Sequence, residues 1–260
     1  MSALPLFGLG VLLVLAVMAF VFVLALQLRI FSIVDVAWSA NFTALVWLYA
    51  ALAAGYPPRR LLIAAMVTLW SLRLAAHLTT RIAALYPEEE GRYLELRRAW
   101  AGQENVRFLG FFVAQGLSNA ALSVPFLLAC ADIRQPLGGY ELAGSLLFVV
   151  ALAGEAGADR QLASFKADRA NRGRTCRSGL WRYSRHPNYF FEWLVWVSYF
   201  VFALPSPWGW TQAAAPLVML WFLFRVTGIP LTEAQARRSR DDYRDYQRST
   251  SAFLPWFPKR

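Results

Sequence analysis

Residues 4–28 read LPLFGLGVLLVLAVMAFVFVLALQL, 25 residues without a single charge. As a helix rising about 1.5 Å per residue, such a run is longer than the roughly 30 Å hydrocarbon core of a bilayer. The rest of the chain agrees with that start. Of its 260 residues 58% are hydrophobic and 16% charged, against roughly 25% charged in soluble domains. Mean hydropathy is +0.39. A disordered chain and an ordinary soluble domain are both excluded, because there is ample apolar surface to bury and too little charge to solvate it. No basic region and small-residue cleavage site flank the first run, so it is expected to be a retained helix and not a removed leader.

Working outward, apolar stretches recur at about 33–54, 60–79, 108–130, 140–157, 188–205 and 211–228. With the first they predict an all-α integral membrane protein of seven transmembrane helices in one domain, 1–260. Prolines at 57–58, 136, 205 and 207 mark the turns, where a missing N–H is easily tolerated. Lys and Arg number 1, 5, 8 and 7 in the segments after helices one, three, five and seven. The segments after the even-numbered helices hold only Arg59, Arg60 and Arg134. By the positive-inside rule the N-terminus is outside and the C-terminus cytoplasmic. The cytoplasmic parts are then loops 80–107 and 158–187 and the tail 229–260. Cys130 and Cys176 are too few for a disulfide framework and are not expected to pair.

The formal net charge is +10. On a soluble chain that would suggest nucleic acid, but no nucleic-acid module is visible and topology accounts for much of it. One loop exceeds what orientation needs. DRQLASFKADRANRGRTCRSGLWRYSRHPN, at 159–188, places eight Lys/Arg beside two Asp. Arg grips phosphate in bidentate fashion and Lys acts as a point charge, so this is a surface for a polyanion, and anionic lipid headgroups could use the same charges. Helix six follows, with Pro187 at its start and Ser184 or His186 near its cap. Asn188 and Glu192 lie four apart on one face. An ionisable group inside a span points to function; a Glu192–Arg bridge between helices is the structural alternative, and His186 reads equally well as a structural hydrogen-bonding residue.

Other polar residues punctuate the spans: Asp35 with Trp38 and Asn41, Arg73 with His77, Gln115 with Asn119, and Arg225. Each pair could join helices by hydrogen bonds. Together they describe a polar interior suited to a buried cofactor or substrate. Metal binding is not expected, with two histidines and no HExxH or Cys/His cluster. No GxSxG, Walker or GxGxxG motif occurs, so a dinucleotide would not be held by a Rossmann unit.

GLWRYSRHPNYFFEWLVW (179–196), DYRDYQRSTSAFLPWFP (242–258), RLAAHLTTRI (73–82) and EGRYLELRR (90–98) together resemble the steroid 5-alpha-reductase superfamily, in its bacterial membrane branch. The resemblance implies a seven-helix reductase of a bacterial inner membrane, acting as a monomer on a hydrophobic steroid or similar lipid enone. It implies NADPH as cofactor, with hydride delivered to C5 of the C4–C5 double bond of a 3-oxo-delta-4 steroid. Carried over by position, it assigns cofactor binding to Asp159, Lys166, Arg174, Asn188, Glu192 and Arg225. It assigns the grip on the enone oxygen to Asp35, where the family has Glu, and to Trp70, where it has Tyr. Donors aimed at that oxygen would stabilise the charge that develops as hydride arrives.

Two other classes fit parts of the pattern. An isoprenylcysteine-carboxyl-methyltransferase-like enzyme has a similar RHPxY run before a late helix, but S-adenosylmethionine carries no phosphate for the basic loop. A lipid-binding or transport protein would favour internal repeats, which the chain lacks.

Overall fold

The computed structural model describes residues 2–226 and 228–259, and of Val226 the backbone only. The protein is an all-α, multi-pass helical bundle. Its helices are α1 (Ala3–Leu28), α2 (Ile33–Leu52), α3 (Pro57–Ala83), α4 (Gly91–Ala99), α5 (Glu104–Leu122), α6 (Val124–Ala131), α7 (Gly139–Ala167), α8 (Pro187–Ala203), α9 (Ala214–Trp221), α10 (Ile229–Ser239) and α11 (Tyr243–Ser249). Among the described residues, six helical stretches are long and apolar enough to cross a membrane: α1, α2, α3, α5 with α6, α7, and Gly209–Ser239. The other expected span, α8, is 17 residues long. The chain divides into two units, residues 1–138 with 206–209, and residues 139–205 with 210–260.

In the first unit, α1, α2, α4 and α5 share an aromatic core. Phe31 stacks on Phe108 with centroids 3.9 Å apart, and Phe22 meets Phe112 edge-on at 5.4 Å. Several polar side chains inside this unit are paired across helices, as the absence of water between spans favours. Asn119 donates to the Trp38 carbonyl (2.9 Å) and accepts from Asn41 (3.1 Å), and Trp38 donates to Ser118 (2.9 Å). The Arg59 and Asp132 side chains, 2% and 1% exposed, lie 3.7 Å apart. Arg59 also donates to the carbonyls of Asp132 and Arg134. Burial alone would raise the Asp132 carboxyl, but hydrogen bonds from Arg134 and Ser206 hold it below the usual carboxylate range. His77 is exposed, and so does not join the polar interior expected for it.

The expected fourth span is broken at Ser123, where Pro125 lacks the N–H that would continue α5 into α6. The expected fifth helix, 140–157, instead runs to Ala167. Gly154, Glu155 and Gly157 do not stop it, because they are packed rather than exposed. An added Cβ at Gly154 would sit 2.4 Å from the Phe191 ring, and one at Gly144 would sit 2.8 Å from the Phe202 backbone nitrogen. These two glycines let α7 and α8 approach closely, as small residues do between membrane helices.

Gly144→Ala should therefore destabilise the protein by about 1–3 kcal/mol, the cost of overpacking. Gly139→Ala, with nothing within 4 Å of the added Cβ, is the control. Thermal melts in detergent should show a lower midpoint for the first alone; equal midpoints would remove the close contact.

Candidate functional site

The sequence-expected residues fall into the two units separately: Asp35 and Trp70 in the first, Asp159, Lys166, Arg174, Asn188, Glu192 and Arg225 in the second. In the second unit the extension of α7 places Asp159 and Lys166 on a helix rather than in a loop. Asn188, at the start of α8, donates from Nδ2 to Asp159 Oδ1 at 3.2 Å. Glu192, one turn further, accepts from Trp196 Nε1 at 3.2 Å.

Lys166 and Arg174 line one cavity of about 350 Å³ with Arg169, Arg172, Arg240 and Asp168. The wall is built by local turns. Asp168 accepts from Ala170 N (2.9 Å), Asn171 Nδ2 donates to the Phe165 carbonyl (3.0 Å), and Gly173 takes φ 77°, a left-handed turn open to glycine at no steric cost. Five cations face one carboxylate, so the cavity favours an anion. Arg240 comes from the link between α10 and α11; only its distance along the sequence hid it. Arg225 is exposed in a π-helical turn, Phe222–Val226, and is not among the cavity's residues.

The turn that carries Asn188 is held from behind by the tail. Arg185 donates to Glu233 (2.7 Å) and to the carbonyls of Gln247 (2.9 Å) and Thr250 (2.6 Å). Glu233 also accepts from Gln247 (2.7 Å), with His186 Nε2 3.3 Å away. His186 is buried, caps α8 ahead of Pro187 and stacks on Tyr189, which makes it a structural residue. Tyr246 donates to the Trp181 carbonyl. Thr175 donates to Asp242 at 2.5 Å; burial pushes the Asp242 carboxyl up, but the hydrogen bonds from Thr175 outweigh it and hold it low.

In the first unit Asp35 is an acceptor. Arg92 lies 3.2 Å from Oδ1, and the Tyr93 hydroxyl donates to the same oxygen at 2.8 Å while accepting from Arg92 at 2.7 Å. A carboxylate so paired does not donate a hydrogen bond. Burial and the Asp35 charge push the Tyr93 phenol well above its usual value, so it stays protonated. Trp70 is fully buried against Phe42, two turns past Asp35 along α2. Sequence reasoning missed Arg92 and Tyr93, although both lie in the EGRYLELRR run. Glu89 of the same segment accepts from the backbone N–H of Phe31 and Ser32 and so closes the α1–α2 turn.

A family model for proteins of unknown function, DUF1295, matches residues 21–250. The chain belongs to that family. Membership points to a distant relation with the steroid-reductase-like superfamily rather than to one branch of it. An uncharacterised protein of Schizosaccharomyces pombe is 26% identical over 257 residues, covering 87% of this chain and 71% of the relative. No solved structure matches.

Arg185→Ala should free the tail, since it removes the guanidinium paired with a largely buried Glu233 and the bonds to two tail carbonyls; loss of a buried ion-pair partner costs up to about 3–5 kcal/mol. Limited proteolysis should then cut within 234–259 well before the parent is cut. Arg248→Ala, whose ion pair with Asp245 is exposed, should leave the cleavage rate unchanged. Equal rates in all three proteins would remove the clasp.

Proposed function

We propose that the protein is an NADPH-dependent membrane reductase acting on the C4–C5 double bond of 3-oxo-delta-4 steroids or similar lipid enones. The observation that carries the cofactor half is the cationic cavity. Lys166, Arg169, Arg172, Arg174 and Arg240 are a donor set for phosphate oxygens, and NADPH offers a pyrophosphate and a 2′-phosphate. At about 350 Å³ the cavity lies at the small end of ligand sites, roughly 300–1,000 Å³. It suits the phosphate-bearing part of the dinucleotide rather than all of it. Among the described residues there is no strand, so the binding is of a non-Rossmann kind.

In this reading NADPH supplies the hydride, and the chain binds and orients. Asp159 and Asn188, already hydrogen-bonded to each other, present a carboxylate and an amide to the sugar and carboxamide hydroxyls and N–H groups. Glu192 adds a second acceptor one turn away. Arg225 is retained as a cofactor residue. Asp35 and Trp70 are assigned to the enone, Asp35 through the Tyr93 hydroxyl and Arg92 that it positions. In this reading an apolar substrate dissolved in the bilayer enters from the lipid around the spans.

The reading includes a single domain over 1–260, α8 as a seventh span of a bacterial inner membrane, the N-terminus outside, and the C-terminus with segments 80–107 and 158–187 on the cytoplasmic side. The charge distribution along the sequence supports that orientation.

The test is to identify the nucleotide that co-purifies in detergent and to follow NADPH oxidation with progesterone or testosterone. Bound NADPH with a reduced steroid product is the expected result; bound S-adenosylmethionine would overturn the reading in favour of a methyltransferase. Asn188→Ala and Glu192→Ala should each weaken NADPH binding by titration. Asp35→Asn should abolish turnover and leave NADPH affinity near that of the parent. Full turnover in that variant would remove Asp35 from the site.

A further inference from the structure

The end of the chain is fixed by its backbone yet turns its largest side chains outward. Trp256 N donates to the Tyr183 carbonyl at 2.9 Å, Lys259 N to the Ser249 carbonyl at 2.8 Å, and Ser184 Oγ to the Phe253 carbonyl at 2.8 Å. Leu254, Trp256 and Phe257 are nonetheless 59%, 71% and 75% exposed. Fraying does not account for this, because the main chain is hydrogen-bonded on both sides of the exposed residues. Three large apolar side chains exposed within residues 254–257 of a hydrogen-bonded segment call for an apolar partner.

The neighbours of Phe253 place the patch at the surface of the bilayer. Phe253 packs edge-on against Phe190 at 5.7 Å and Trp193 at 5.8 Å, in the first two turns of α8. It also meets Phe224 at 5.2 Å, within the apolar stretch Gly209–Ser239 that is long enough to cross the membrane. The exposed side chains follow directly after Phe253 along the chain. Tryptophan and phenylalanine are suited to the interfacial layer, with a wide apolar ring and, for tryptophan, an N–H that reaches headgroups and water.

Charge selects the lipid. Phe257 meets the Tyr183 ring edge-on at 5.9 Å, and the Arg182 guanidinium lies 6.0 Å from the centre of that same ring. Arg182 and Lys259 are both exposed. Apolar rings beside two free-facing cations match an anionic headgroup layer better than a second protein's apolar face, which would have to desolvate those charges. We propose that Leu254, Trp256 and Phe257 insert into the interfacial layer of the bilayer, with Arg182 and Lys259 set on anionic lipid headgroups, so that the tail clasping Arg185 is itself moored to the membrane.

The test labels Trp256→Cys, Phe257→Cys and Arg248→Cys with a nitroxide in full-length protein. Cys130 and Cys176 are buried, and the labelled parent gives the background. In vesicles of phosphatidylcholine and phosphatidylglycerol, positions 256 and 257 should collide readily with oxygen and poorly with a water-soluble nickel chelate. Position 248, 82% exposed beside Asp245, should show the reverse. Leaving out phosphatidylglycerol should raise nickel access at 256 and 257. Nickel access at 256 equal to that at 248 would overturn the proposal. So would spin–spin broadening between two labelled copies, which assigns the patch to self-association, and so would indifference to phosphatidylglycerol, which removes the anionic lipid.

Discussion

A guanidinium or carboxylate in contact with hydrocarbon must find a partner or be drawn to the surface, and each unit of this protein shows how its charges do so. In the first unit Arg59 and Asp132 are both buried and hold one another and the carbonyls around them. At the other end of α2, Asp35 is held by Arg92 and Tyr93 from α4. In the second unit Arg185 meets Glu233 and two tail carbonyls. In each case the partner comes from far along the sequence, so pairing the charge also fixes the path of a loop or tail. The short elements α4, α10 and α11 have few apolar faces of their own, and these ion pairs and hydrogen bonds specify where they lie.

The same constraint explains what was legible in the sequence. Runs such as 4–28 have no alternative to a membrane helix, so fold class and most spans could be read from composition and length alone. Helix ends were less legible. Gly154 and Gly157 look like a stop, yet Gly154 serves the approach of Phe191 and the helix continues for ten residues past Gly157. Whether a glycine ends a helix or admits a neighbour depends on what packs there, which no local pattern states. Pro125 was legible as a breaker in principle, but the apolar run around it masked the break at Ser123.

Site residues divide in the same way. Asn188 donates to Asp159, a contact no local pattern states, and Lys166 and Arg174 line one cavity. Arg240 joins them from 66 residues beyond Arg174, a juxtaposition set by the fold of the tail. Tyr93 and Arg92 stand in the EGRYLELRR run, outside the spans that carry the intramembrane acids. Their signal was chemical: a lone Asp at the start of a span needs a cation or donor, and the nearest RY pair on the adjoining loop can supply both. Asp35 is thereby an acceptor, and the hydrogen-bond donors of this cluster are the phenol of Tyr93 and the guanidinium of Arg92.

The tail links these arguments within the second unit. Arg185 precedes Asn188 by three residues, so whatever fixes Arg185 fixes the start of α8 and the amide that meets Asp159. Four of the groups that hold this turn, Glu233, Gln247, Thr250 and Phe253, belong to the last 28 residues. Arg240, between α10 and α11, reaches the cationic cavity from that same segment. The tail therefore carries one residue of the cavity's wall. A tail moored at Trp256 and Phe257 loses less conformational entropy when the turn closes, because its end is already confined. A membrane surface that held Trp256 and Phe257 would reach the start of α8 through the Trp256 N–H on the Tyr183 carbonyl and the Ser184 hydroxyl on the Phe253 carbonyl, without touching the cavity's ligand.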